Sequence, residues 1–225
     1  INSNILNSII EKKHFPNLLL YGPPGTGKTT TIINLIKSYQ VKMDNVDSKM
    51  VIHLNASDDR GIDIIRNQIY QFVNSKCLFN SGLKYVVLDE ADYMTKNAQQ
   101  ALHNLLETVS GNVRFCLICN YISKIDLSLQ SEFIHMRFNK LPEQNIIDFL
   151  MKIVKEENLK DMNKANIKAI QDYYKNDIRS MINFLQVDKK NRKTNIIIDN
   201  NCYNEITDML KKKLSYIKIE NKINY

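Results

Sequence analysis

This sequence of 225 residues lacks the long apolar runs and the terminal signals that mark membrane and secreted proteins. No segment approaches the about 18 consecutive apolar residues that a membrane-spanning helix requires. The amino terminus also has no basic start followed by an apolar stretch and a small-residue cleavage site, which a secretory signal would need. We therefore expect a soluble intracellular protein with no membrane partner.

The four cysteines are too few and too scattered to form a disulfide framework or a zinc finger. Cys116 and Cys119 form a lone C-x-x-C pair within an apolar segment that has the pattern of a strand. Side chains three positions apart on a strand point to opposite faces, so the two thiols cannot readily share a metal. We expect buried, reduced cysteines rather than a metal or redox site.

The overall composition, with 44% hydrophobic and 24% charged residues, is that of an ordinary globular protein with a sizeable core. The net charge of +7 suits a polyanionic partner such as DNA or RNA. A second interpretation is a solvated basic surface, because runs such as 189–193 and 211–213 lie in a chain that is rich in lysine throughout. Charge alone leaves both interpretations open.

One stretch, from Gly22 to Thr29, fits the phosphate-binding pattern G-x-x-x-x-G-K-S/T. It lies between an apolar run at 18–21, typical of a buried parallel strand, and an amphipathic helix predicted over 28–39. Lys28 would reach the β- and γ-phosphates, while backbone N–H groups of the loop would converge on phosphate oxygens and the Thr29 hydroxyl would bind Mg²⁺. The predicted nucleotide-binding residues are Gly22, Pro23, Pro24, Gly25, Thr26, Gly27, Lys28, Thr29 and Thr30.

Two further predicted strands end in polar residues that suit an ATP site. The apolar run 85–88 ends in Asp89, which could hold hydrated Mg²⁺, and Glu90, which could polarise the attacking water. The predicted strand 114–119 ends in Asn120, whose amide could orient that water or sense the γ-phosphate. Strands that end in this order are typical of P-loop ATPases with an additional strand in the sheet.

Strands and helices alternate over the first part of the chain. Further strands are predicted at 51–54 and 134–138, and further helices at 62–73 and 98–109. This alternation indicates a doubly wound α/β domain with a parallel sheet.

After Pro142 the pattern becomes entirely helical. Arg179 lies near the start of the third of these helices, where it could reach the γ-phosphate. The helices are predicted at 143–157, 164–174 and 177–186. The predicted domains are a core at 1–141, a small helical lid at 142–187, and a linker with an uncertain helix, 201–213, at 188–225.

Four segments together resemble the small subunits of replication factor C, the eukaryotic sliding-clamp loader. The block N-A-S-D-D-R-G-I-D is more specific to clamp loaders than the phosphate loop is. The segments are 22–29, 54–66, 88–92 and 117–125.

The resemblance implies an AAA+ ATPase core with ATP or ADP and Mg²⁺ as cofactors, in a nuclear protein. It also implies the partners, which are the other subunits of a hetero-pentameric loader, the sliding clamp and primer–template DNA. Lys28, Thr29, Asp89, Glu90 and Asn120 match the family's P-loop, Walker B and first sensor positions. Arg179 matches the second sensor arginine of the lid.

In such loaders the helices after the second and third strands meet the DNA backbone. Arg60, Arg66 and Lys96 are therefore candidates for phosphate contact, since arginine and lysine give sequence-independent, salt-sensitive binding. Local pairing with nearby acids such as Asp58 and Asp63 is the alternative role of these arginines.

The sequence departs from the family at one functionally important position. Family members usually carry Ser-Arg-Cys after the sensor strand, with an arginine that reaches the neighbouring subunit's ATP site, and this chain has Glu132 there. We expect that it cannot donate this arginine, for which Arg137 is a weak substitute. Two alternatives remain at this point: a largely structural nucleotide-binding subunit of the same loader, and another AAA+ DNA-processing ATPase.

Overall fold

The computed structural model describes residues 2–57, 64–75, 82–109, 111–159 and 162–190. The chain divides into two compact units between residues 140 and 141, and each is described by itself. Arg60 and the helix predicted at 201–213 lie outside the described residues. No helix in the described ranges combines the length and the apolar character needed to cross a bilayer.

The first unit is built around a five-stranded sheet whose strands are all parallel. This arrangement confirms the doubly wound α/β fold that the sequence predicts. The strands are β1 (Leu18–Tyr21), β2 (Val51–Asn55), β3 (Lys84–Asp89), β4 (Val113–Cys119) and β5 (Ile134–Arg137), in the spatial order β2-β3-β4-β1-β5.

Helices cover both faces of this sheet. Leu19 of β1 packs in an apolar layer with the fourth helix, whereas Leu18 and Leu20 pack in a second layer with the first two helices. All three leucines are fully buried, and each such burial is worth roughly 1.5–3 kcal/mol. The helices are α1 (Asn2–Glu11), α2 (Lys28–Lys42), α3 (Tyr70–Asn74), α4 (Lys96–Thr108) and α5 (Leu127–Gln130).

The strand order brings three loops to one edge of the sheet. The chain passes from β1 through the phosphate loop into α2, and β1 lies beside β4, with Tyr21 opposite Cys119. Strand β4 in turn pairs with β3. The carboxyl ends of β1, β3 and β4, which precede the loops carrying the predicted site residues, are therefore neighbours.

The segment after β2 differs from the continuous α-helix predicted at 62–73. The described part begins with a π-helical turn, Ile64–Ile69, which leads into the short helix α3. A π turn holds more residues per turn than an α-helix, so it rotates the side chains that follow. Ile69 is fully buried in the same apolar layer as α4.

Within its described residues, the second unit contains three helices around their own apolar core, α6 (Glu143–Glu156), α7 (Lys164–Tyr174) and α8 (Ile178–Lys190). The Asn163 side chain caps α7 by accepting a hydrogen bond from the Asn166 N–H at 2.9 Å. Helix α8 continues to Lys190, past the end predicted at Gln186. Charged residues such as Asp188 make a segment polar but do not end a helix, and no glycine or proline follows Gln186 in α8.

Candidate nucleotide-binding site

The phosphate loop connects β1 to α2 and turns through three glycines with positive φ, Gly22, Gly25 and Gly27. At Gly22, φ is 144°, and a Cβ atom there would lie 2.0 Å from the backbone oxygen of Phe138. The Phe138 N–H donates to the Tyr21 oxygen at 2.7 Å, which fixes this close approach. Only glycine fits at the point where the loop leaves β1.

Lys28 begins α2, and its ammonium group points back into the loop. Its Nζ donates hydrogen bonds to the Gly22 oxygen at 2.8 Å and the Pro23 oxygen at 2.9 Å. It also donates to Asn120 Oδ1 at 3.0 Å, which joins the phosphate loop to the end of β4. The residue is 7% exposed, so this charge is held within the loop by oxygen atoms.

The side chains of Thr29 and Asp89 meet at the ends of α2 and β3. The Thr29 hydroxyl donates to Asp89 Oδ2 at 2.7 Å, and the other carboxylate oxygen accepts from the Glu90 N–H at 2.9 Å. His53 Nε2 lies 3.8 Å from Asp89 Oδ2 and is a neighbour that sequence reasoning missed. A hydroxyl and a carboxylate oxygen at this spacing form the hard oxygen set that suits Mg²⁺.

Glu90 lies at the sharp turn after β3, in the left-handed conformation with φ 54° and ψ 37°. This conformation is uncommon for a residue with a side chain, and it costs about 1–3 kcal/mol. The turn places Glu90 beside Asp89 and starts the 3₁₀ turn Ala91–Tyr93. A strained acidic residue next to Asp89 fits the role of a group that polarises water.

Asp92 is a second residue that sequence reasoning did not assign to the site. It is only 6% exposed, and its Oδ1 accepts a hydrogen bond from the Asn120 N–H at 3.4 Å. Its Oδ2 is buried and has no hydrogen-bond partner within the described residues. Asp92 thus ties the turn after β3 to the residue whose amide contacts Lys28. The sequence signal for it was the second aspartate of the D-E-A-D segment.

Arg179 is in the second unit, at the second residue of α8, and its side chain is exposed. Its N–H donates to Asp177 Oδ1 at 3.1 Å, and the Ser180 hydroxyl donates to Asp177 Oδ2 at 3.0 Å. Asp177 therefore caps the amino end of α8.

Two of the three candidate DNA-contact residues lie in described helical segments. Lys96 is the first residue of α4 and is exposed, and the preceding Thr95 caps that helix through its hydroxyl, which accepts from the Ala98 N–H at 3.2 Å. Arg66 falls in the Ile64–Ile69 turn.

The position at which the family carries an arginine and this chain carries a glutamate lies at the surface, just before β5. Glu132 is exposed in the turn between α5 and β5, and its backbone oxygen accepts from Asn17 Nδ2 at 3.5 Å. The next residue, Phe133, is buried in the core. Arg137, at the end of β5, is exposed.

The C-x-x-C pair lies on β4 with its thiols on opposite faces of the sheet, as the strand pattern predicts. Cys116 belongs to the apolar layer of α1 and α2, and Cys119 to the layer of α4. Burial raises the pKa of Cys116, and burial together with the nearby Asp92 charge raises the pKa of Cys119 to about 12. Both thiols remain protonated at neutral pH and are poor nucleophiles and metal ligands.

A cavity of about 410 Å³ lies at the opposite, amino edge of the sheet. Its lining includes Phe15, Tyr39 and Tyr85, whose rings pack edge to face, and Arg114, whose Nε donates to the Phe15 oxygen. These residues stand near the starts of the strands, away from the phosphate loop. The cavity therefore has no part in the candidate nucleotide site.

Residues 18–141 match the model of the ATPase family associated with various cellular activities, AAA. The chain is 45% identical over 188 residues to replication factor C subunit 5 of Mus musculus, an alignment that covers 82% of this chain and 55% of that protein. It is 39% identical over 203 residues to replication factor C subunit 3 of Saccharomyces cerevisiae, covering 90% of this chain and 57% of that protein.

The chain spans about half the length of these curated relatives. Among solved structures, a mutant of RuvB from Thermotoga maritima matches with a TM-score of 0.63 at 12% identity, covering all of this chain and 69% of the other. That likeness extends to the fold alone. The match to the AAA model covers more than half of the chain and includes every residue of the site in the first unit, and the chain therefore belongs to the AAA family of nucleotide-binding ATPases.

Proposed function

We propose that this chain is the ATP-binding and ATP-hydrolysing small subunit of a clamp loader, which places a sliding clamp on primer–template DNA in replication and repair. The observation that carries the proposal is the meeting of Lys28 with Asn120, and of Thr29 with Asp89, at one edge of the sheet. The 45% identity to a replication factor C subunit supports the clamp-loader part. We place the protein in the nucleus on the same ground.

The described side chains divide the work of ATP hydrolysis. Lys28 would bind the β- and γ-phosphates, while Thr29 directly and Asp89 through water would hold Mg²⁺, which would neutralise charge on the phosphates. Glu90 would polarise the attacking water, and Asn120 would orient it. The hydrogen bond between Lys28 and Asn120 supports the first and the last of these roles, because it brings the phosphate-binding ammonium group beside the water-orienting amide.

The remaining roles belong to residues outside the phosphate loop and to a neighbouring subunit. Arg179 would contact the γ-phosphate as a second sensor, and an arginine of a neighbouring subunit would complete the site. Arg60, Arg66 and Lys96 would contact the phosphates of primer–template DNA. The proposed partners are thus the other subunits of a hetero-pentamer, the clamp and DNA.

Reconstitution of the full-length protein with its candidate partner subunits tests the function. ATP hydrolysis is measured with and without clamp and primed DNA, for wild type, Lys28→Ala and the control Lys42→Ala. Lys42 ends the same helix and is exposed, so its loss changes the net charge equally. We expect clamp and primed DNA to stimulate ATP hydrolysis. Lys28→Ala should lower the hydrolysis rate that this chain contributes by about 10²–10³-fold.

Two results would contradict the proposal. Hydrolysis that is indifferent to clamp and DNA would refute the clamp-loader function. A loss in Lys42→Ala equal to that in Lys28→Ala would show that net charge, not the phosphate loop, carries the effect.

Because Glu132 stands where the family carries an arginine, we expect slow ATP hydrolysis at the adjoining site of the neighbouring subunit. An arginine donated from a neighbour can contribute about 10³–10⁵ in rate, and a carboxylate in its place cannot stabilise negative charge. We test this in a complex in which Lys28→Ala has inactivated the ATP site of this chain. There we expect Glu132→Arg to raise ATP hydrolysis at the adjoining site at least about tenfold. Glu132→Gln is the matched control, since it removes the charge without supplying a guanidinium. Equal rates in both variants would show that this position does not face the neighbour's nucleotide.

A further inference from the structure

Two exposed tyrosines flank one lysine beside the candidate site. Lys124 Nζ lies 5.2 Å from the ring centroid of Tyr93 and 5.3 Å from that of Tyr121. Tyr93 is 45% exposed and Tyr121 is 62% exposed, so both rings present much of their surface to solvent. We call these three residues the tyrosine–lysine platform. Singly exposed rings are ordinary surface features, but two exposed rings that share one cation form a cluster with the character of a binding surface.

The platform is held in place by a buried glutamine. Gln99 of α4 is 2% exposed, and its Nε2 donates to the Met94 oxygen at 3.3 Å and the Lys124 oxygen at 3.0 Å. Its Oε1 accepts from the Asp126 N–H at 2.8 Å. One side chain thus fastens the turn that carries Tyr93 to the turn that carries Tyr121. Fixed rings cost little entropy when a ligand binds.

The exposed charges on the segments that carry the platform are positive, since the flanking Asp92 is 6% exposed and Asp126 is half-buried. Residues 93–97 and 121–124 include two lysines, Lys96 and Lys124, and no acidic residue. Both lysines are exposed, and among the described residues Lys124 forms no salt bridge. Aromatic rings next to cations favour a ligand that combines flat π-faces with phosphates.

We infer that the tyrosine–lysine platform binds the unpaired nucleotides of single-stranded DNA, with a base stacked on each tyrosine ring and the adjacent phosphates near Lys124 and Lys96. This inference rests on the proposed function, because the unpaired template strand of primer–template DNA is the single strand such a protein would meet. Stacking does not depend on base identity, so the contact is sequence-tolerant. Tyr121 directly follows Asn120, and Tyr93 directly follows Asp92, whose carboxylate accepts a hydrogen bond from the Asn120 backbone N–H, so the platform adjoins the end of β4.

The test uses full-length protein, alone and assembled with its partner subunits, and DNA that carries 2-aminopurine in the unpaired strand. Quenching of the 2-aminopurine reports stacking, and a titration gives the affinity. We expect Tyr121→Leu and Tyr93→Leu each to weaken binding about tenfold and to reduce quenching, while Tyr121→Phe retains both within about twofold. Tyr173→Leu is the matched control, since Tyr173 is 71% exposed but lies in the second unit, where its ring contacts Tyr174.

The design separates this inference from the proposed function. Binding to blunt duplex DNA should not change in the tyrosine variants, whereas Lys96→Met should weaken both DNA forms and lower the salt dependence. Wild-type quenching without clamp-stimulated hydrolysis would support the platform and refute the clamp-loader function. Clamp-stimulated hydrolysis with unchanged DNA affinity and quenching in both leucine variants would overturn the platform alone. If the leucine variants failed to assemble with the partner subunits but still bound single-stranded DNA, the platform would be a protein interface and the inference would be overturned. Stronger binding of the wild type to single-stranded RNA than to single-stranded DNA would overturn the choice of DNA as the ligand.

Discussion

Replacing Glu90 with glutamine is expected to abolish most ATP hydrolysis while leaving nucleotide binding intact. The two side chains have nearly the same size, and both must adopt the left-handed backbone found at position 90. The substitution therefore removes the negative charge without a new cost in the turn. A group that accepts a proton from the attacking water contributes about 10²–10⁴ in rate, and we expect a loss in that range.

The measurement for Glu90→Gln compares phosphate release with the affinity for a fluorescent ATP analogue, in the reconstituted complex. Lys28→Ala should weaken both, because Lys28 lies in the phosphate loop itself. Glu11→Gln, at the exposed end of α1, is the control for loss of one surface charge in the same unit. If Glu90→Gln hydrolysed ATP as fast as Glu11→Gln, the water-polarising role would pass to another residue, and Asp92 would be the next to test.

Local patterns were sufficient to predict the sheet and the ends of its strands. The run at 18–21 is apolar throughout because β1 is buried on both faces, and a strand of that kind is found in parallel sheets. The pattern at Cys116 and Cys119 also gave the correct faces, since side chains on a strand alternate with a period of two. In both cases the information lies within a few residues of sequence.

Contacts between distant segments could not be predicted in the same way. The hydrogen bond from Lys28 to Asn120 joins residues 92 positions apart, and the polar residues behind the site, His53, Asp92 and Gln99, have no motif that assigns their partners. Helix ends were also missed where nothing in the sequence marks them. Helix α2 runs to Lys42 rather than Tyr39 because no glycine or proline intervenes.

Gly22→Ala is expected to destabilise the first unit by about 2–4 kcal/mol, more than the same substitution at Gly27 or Gly111. The new Cβ would lie 2.0 Å from the Phe138 oxygen, a backbone atom that cannot turn aside as a side chain can. To relieve the clash, the residues after β5 must move away from β1, which breaks the hydrogen bond from the Phe138 N–H to the Tyr21 oxygen. The same movement would displace the Gly22 oxygen that Lys28 contacts, so nucleotide affinity should fall as well.

Alanine substitutions at two other glycines distinguish the effect of the steric clash from the effect of backbone strain. Gly27 has φ 83° but open space where a Cβ would stand, so Gly27→Ala should cost only the strain, about 1–2 kcal/mol. Gly111 has open space and no positive φ, so Gly111→Ala should change stability by less than about 0.5 kcal/mol.

The chain has no tryptophan, and its two units need not unfold together, so hydrogen exchange at the amides of β1 and β5 is the appropriate measurement. Exchange that accelerates in the order Gly111→Ala, Gly27→Ala, Gly22→Ala would assign the requirement for glycine at position 22 to its contact with Phe138. Equal exchange in Gly22→Ala and Gly27→Ala would assign it to backbone strain alone.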